Sequence, residues 1–105
     1  MRRYTLSYLP LCEADLDAAW RYVAQKLRNP EAADKLVSDT EAAILKRLAA
    51  PEAFEARHIG REREHPYYRL QIRNFAVWYV VIGRVMEVRR FLYNRREADK
   101  ILPES

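Results

Sequence analysis

The sequence predicts an α+β domain in which a helical hairpin packs on one face of a mainly antiparallel four-stranded sheet. The predicted order is β-α-α-β-β-β. Three observations carry this. A stretch of period two opens the chain, two stretches of helical period follow, and three strand-like stretches separated by tight turns come after them. At 105 residues, all of them belong to one domain spanning 1–105, because a second core would not fit beside the first.

From Arg3 to Leu9 the residues alternate, with Tyr4, Leu6 and Tyr8 on one side and Thr5 and Ser7 on the other, until Pro10 closes the strand. Leu16, Ala19/Trp20, Val23 and Leu27 then fall at helical spacing. Glu13, Asp15 and Asp17 stand where the positive end of a helix dipole favours carboxylates. Asn29-Pro30 starts a second helix, with Asn29 as cap and Pro30 at its first position. Its apolar stripe is Ala33, Leu36/Val37, Thr40, Ala43/Ile44 and Leu48, and Pro51 stops it. Such a short connection makes the two helices an antiparallel hairpin.

Residues 51–66 lack a period and read as a loop. Tyr68, Leu70 and Ile72 next alternate with Tyr67, Arg69, Gln71 and Arg73, and Arg73-Asn74 makes a tight turn. Residues 75–82 are apolar on both faces, which marks a central strand. Gly83-Arg84 is a two-residue hairpin turn, with glycine supplying a positive φ. The last strand runs from Val85 to about Tyr93, and a short helix ends the chain. The helices cover one face of the central strand. The other face is either an open, arginine-rimmed surface or is covered by the loop 51–66.

Composition excludes several classes. Half the residues are hydrophobic and 11% aromatic, too many for a disordered chain. No run approaches 18 apolar residues, and a glutamate comes too early in the first residues for a signal peptide, so a cytoplasmic protein without a membrane span is expected. Cys12 is the only cysteine, no spacing suggests a metal site, and two glycines cannot build a phosphate-cradling loop, so no cofactor is expected.

Charge is more telling. Residues 57–96 hold ten arginines and no lysine, opposed only by Glu62, Glu64 and Glu87. The planar, permanently charged guanidinium suits phosphate or carboxylate, so an anionic partner is favoured. Arg69 and Arg73 are expected to share a strand face beside Tyr67, with Arg95 and Arg96 just beyond the last strand, a setting suited to single-stranded RNA. An ion pair of Arg69 with Glu62 or Glu64 is the structural alternative. Proton-transfer candidates are few: His58, His65, Glu64 and Tyr93.

Several strings, in this order, resemble the RelE/ParE superfamily of bacterial type II toxins. They are YTLSYLPLCEADLDAAWRYV, NPEAADKL, YYRLQIRNFAVWYVV and EVRRFLYNRRE, which together span nearly the whole chain. The resemblance implies a cytoplasmic growth inhibitor of a plasmid-stabilisation type, neutralised by a cognate antitoxin, and a homodimer either when free or within the antitoxin complex. RelE-like members cut mRNA on the ribosome through the RNA 2′-hydroxyl, whereas ParE-like members trap DNA gyrase on cleaved DNA. Carried over by position, Arg69, Tyr93 and Arg96 match catalytic positions; the basic strand surface itself gives Arg69, Arg73, Arg95, Arg96 and Tyr67 as the target- or phosphate-binding set. The chain departs from the RelE pattern at Ala76, where a catalytic arginine is expected, at Leu102, in place of a tyrosine, and at Gln71, in place of a lysine. An incomplete cationic set would support a phosphorane poorly, so a gyrase poison is the expected function. A ribosome-dependent mRNA endonuclease is the alternative, and an inactive nucleic-acid-binding module a further one.

Overall fold

The computed structural model describes residues 3–57 and 65–104. The elements are β1 (Thr5–Tyr8), α1 (Pro10–Arg21), α2 (Pro30–Arg47), β2 (Tyr68–Ile72), β3 (Phe75–Ile82), β4 (Val85–Leu92) and α3 (Arg95–Ile101). The strands lie in the order β1-β4-β3-β2. β1 runs parallel to β4, and the other two pairings are antiparallel. This is the α+β arrangement expected, with the sheet mostly antiparallel.

Local chemistry explains the boundaries. Pro10 is the first residue of α1, where its missing N–H is no loss. The Asn29 side chain accepts a hydrogen bond from the Ala32 N–H at 3.1 Å and so caps α2. Gly83 adopts φ +63° in the β3–β4 turn, as that turn requires.

α1 does not simply stop. It widens into a π turn, Tyr22–Lys26, with the Leu27 N–H bonded to the Tyr22 carbonyl at 3.2 Å. A π turn shifts the phase of the residues that follow it. Leu27, expected in the buried stripe, is therefore 57% exposed.

The helical hairpin packs Cys12, Ala19, Leu36 and Ile44 against Val77, Tyr79, Met86, Val88 and Phe91 of the sheet. Tyr79 is fully buried yet satisfied: its hydroxyl donates to the Pro51 carbonyl at 2.7 Å and accepts from Arg47 at 3.0 Å. The chain leaving α2 is thereby tied to the central strand.

The reverse face corrects an expectation. Neither bare nor covered by the loop alone, its centre is sealed by the C-terminal segment. Ala98 and Leu102 pack on Tyr67, Ala76, Trp78, Val80 and Leu92. The contribution of residues 58–64 lies outside the described residues.

Cys12 has no exposed surface. Burial, reinforced by the nearby Asp15 carboxylate, pushes its thiol up to about 12. An unfolded cysteine ionises near ~8.5, so the folded chain holds this proton more tightly. That contribution to stability is whole below about pH 8.5 and is lost as pH rises towards 12. Iodoacetamide should therefore label the folded chain at about pH 8 at least ~100-fold more slowly than the denatured chain, as followed by mass spectrometry. Equal rates would show that the thiol is not held in the core.

Candidate functional site

The predicted site residues fall into separate groups. On the reverse face, the Arg69 guanidinium carbon stands 5.9 Å from the Trp78 ring centroid, and its Nη2 donates to Gln71. Tyr67 lies in the same cluster, fully buried, with its ring edge-on to Trp78 at 6.2 Å. Beside it, burial disfavours the charge on Arg89, but hydrogen bonds to Glu87 and Tyr67 outweigh this and raise its pKa.

Arg73 does not share that face. β2 ends at Ile72, and Arg73 takes φ +53° in the turn, which sends its side chain to Asp39 of α2 at 2.5 Å. Alternation carried one residue past the end of β2 places it beside Arg69 instead.

Tyr93 lies directly after β4 and is 45% exposed. Its ring meets Phe75 edge-on at 5.3 Å, and Phe75 stacks on Phe91 at 4.8 Å. Arg96 is exposed in the first turn of α3, and its neighbour Asn94 caps that helix by accepting from the Glu97 N–H at 2.9 Å. The side chain of Arg95 lies outside the described residues, as do His58, Glu62 and Glu64. His65 is described and half-buried.

Two adjoining clefts flank Tyr93. One, of about 350 Å³, is lined by Asp15, Ala18, Tyr22, Phe75, Tyr93 and Glu97, among others. The second, of about 340 Å³, shares Tyr22, Phe75 and Tyr93 and continues past Val23, Leu27 and Leu36 to Arg73. Neither includes Arg69 or Arg96. Tyr93 and Arg73 are thus brought together, and so are Arg69 and Tyr67, but the two pairs occupy opposite sides of the sheet.

Sequence reasoning missed the bond that sets this geometry. Asp15 of α1 receives Arg90 Nε at 2.7 Å and Nη2 at 2.8 Å, and also accepts from the Phe91 N–H at 3.0 Å. Both side chains are largely buried. The hydrogen bond to Asp15 raises the Arg90 pKa in spite of burial. The pairing depends on a bulge: Trp78 faces Arg90 while Tyr79 faces Val88, so Arg89 is the extra residue. A signal was present, because Asp15 is a carboxylate inside the helical stripe of Cys12, Leu16 and Ala19.

Among the described residues, no three histidine, cysteine or acidic side chains cluster to hold a metal. Nor is any described helix long and apolar enough to cross a membrane.

Comparison with known proteins bears on this arrangement. No curated protein matches the sequence. Among solved structures, a chain of the chromosomal ParDE TA system from P. aeruginosa superposes with a TM-score of 0.71 at 21% identity, covering 88% of this chain and 97% of its own. At that identity the likeness speaks to the fold. The sequence family described as the ParE toxin of the type II toxin-antitoxin system parDE matches residues 6–98. Nearly every element described above lies inside that match, and the chain belongs to the ParE toxin family, within the RelE/ParE superfamily of type II toxins.

Proposed function

We propose that this toxin arrests growth by binding and poisoning DNA gyrase in the cytoplasm, without catalysis of its own, and that its cognate antitoxin silences it. The observation that carries this reading is the dispersal of the would-be catalytic groups. Arg69 lies over Trp78 on the reverse face, Tyr93 stands across the sheet against Phe75, and Arg96 is exposed on α3. RNA cleavage through a 2′-hydroxyl needs an acid, a base and cations around one phosphate. Two of the three departures from the RelE pattern are core positions here: Ala76 is 4% exposed and Leu102 is fully buried. An arginine at position 76 would have to be buried there, at a cost of several kcal/mol. In this reading Arg69 and Arg96, with Arg73 and Arg95, are contacts to the target.

The test is regulated expression in a bacterial host of the wild-type chain, Arg69→Ala and Arg96→Ala. Wild-type expression should stop growth, and co-expression of the antitoxin should restore it. Arg96→Ala should weaken toxicity with the fold intact, because its side chain is exposed. Arg69→Ala should do the same with a loss of stability of at most about 1–2 kcal/mol, the value of a partly desolvated cation–π contact. Insoluble protein in either variant would assign that arginine to the structure. Rapid translation arrest with cuts inside codons would favour the endonuclease instead.

A further inference from the structure

Arg47 is an arginine without an acid. It is the last residue of α2, half-buried, and among the described residues no carboxylate pairs with it. Its charge is held in another way. The guanidinium carbon stands 3.4 Å from the Phe54 ring centroid and 5.9 Å from that of Tyr79, so two rings attend it. One nitrogen, Nη1, donates to the Tyr79 hydroxyl at 3.0 Å and to the Arg69 carbonyl at 3.3 Å.

The second of these bonds links the two sides of the sheet. β2 is an edge strand of five residues, paired on one side with β3. Its outer backbone is tied at Tyr67 to Arg57, at 2.7 and 3.0 Å, and at Arg69 to Arg47. Arg69 is the register partner of Trp78, and its guanidinium lies over that ring on the reverse face. An edge strand with few ties opens locally, and a strand that shifts at position 69 carries the side chain with it. Arg47 thus acts on Arg69 through the main chain, from the side opposite to the Arg69 guanidinium.

We propose that Arg47 is a positioning residue: from the hairpin side it fixes the β2 backbone at Arg69, and so holds the Arg69 guanidinium over Trp78 in the orientation that meets the target. The proposal rests on the reading of Arg69 as a target contact, but its first test does not use the target.

That test is NMR of the free chain, reading the contacts between the Arg69 side chain and the Trp78 ring, with Arg69→Ala to assign them. Arg47→Met should lose most of these contacts while the chain stays folded, because the Tyr79 hydroxyl still donates to the Pro51 carbonyl. Arg47→Lys, whose ammonium has donors for both oxygens, should restore them. Phe54→Ala removes a half-exposed ring from the guanidinium and should weaken them too. Contacts unchanged in Arg47→Met, or in Phe54→Ala where the methionine variant does not fold, would overturn the proposal. The second test is gyrase-dependent cleavage of plasmid DNA. Arg69→Ala should raise the toxin concentration for half-maximal cleavage about tenfold, as loss of an arginine anchor does. Arg47→Met should raise it about fivefold, and no further when combined with Arg69→Ala than Arg69→Ala does alone. A combined loss equal to the product of the two would show that Arg47 acts independently of Arg69, and would overturn the proposal. Cleavage unaffected by Arg69→Ala would instead remove Arg69 from the target contacts, while the NMR contacts still decide whether Arg47 positions it.

Discussion

Asp15→Ala should destabilise the chain by about 3–5 kcal/mol, the range for removing one partner of a buried ion pair. The loss has two sources. Arg90 would keep its charge with only 17% of its side chain exposed, and the Phe91 N–H would lose its acceptor. Because α1 is anchored to the β4 bulge through this carboxylate, the damage should spread to the packing of Ala19 and Phe91. For a chain of this length the melting temperature should fall by more than about 12 °C. Asp15→Asn should fall between the two, because an amide oxygen still accepts from Phe91 while the bidentate contact is lost. Thermal unfolding of the three proteins checks this. A loss below about 1 kcal/mol for alanine would place the pair among the weak, solvent-screened ones.

Ending the chain after Asn94 should have an even larger effect. Without α3 and the turn that follows it, Tyr67, Ala76, Trp78, Val80 and Leu92 would lose the cover provided by Ala98 and Leu102. An exposed sheet face of that composition is an association surface. The truncated chain should bind hydrophobic dye and elute as large assemblies. Leu102→Ala in the full chain is the graded version, expected to cost about 2–5 kcal/mol through lost burial and the cavity left behind. A monomeric, cooperatively melting truncated chain would mean that the reverse face does not depend on its C-terminal cover.

These two variants mark where the sequence was hard to read. The strands and helices were legible because period two and period 3.6 are local properties, and the Asn29-Pro30 start and the Gly83-Arg84 turn are set by single residues. What covers the reverse face was not legible. The last helix could be expected, but only the fold brings Ala98 and Leu102 onto a strand some twenty residues earlier in the chain. Two local breaks in phase were hidden. Arg73 turned away because it adopts a positive φ just past the end of β2, and Phe91 joins Val88 on the hairpin side because a bulge inserts Arg89. Alternation carried through either point assigns the wrong face. Leu27 swung outward because a π turn interrupts the helical phase, which no count of apolar spacing reveals.

The toxin family was legible from four strings in order, and the match over residues 6–98 agrees with it. The proposed mode of action rests on physical grounds, namely that Arg69 and Tyr93 stand on opposite sides of the sheet instead of gathering around one phosphate.

The most direct test combines purified chain, purified gyrase, supercoiled plasmid DNA and ATP. The account predicts accumulation of linear DNA with gyrase covalently attached, suppressed by pre-incubation with the antitoxin and weakened by Arg96→Ala. Untouched DNA, together with codon-internal cutting of mRNA when the same protein is added to translating ribosomes, would contradict it.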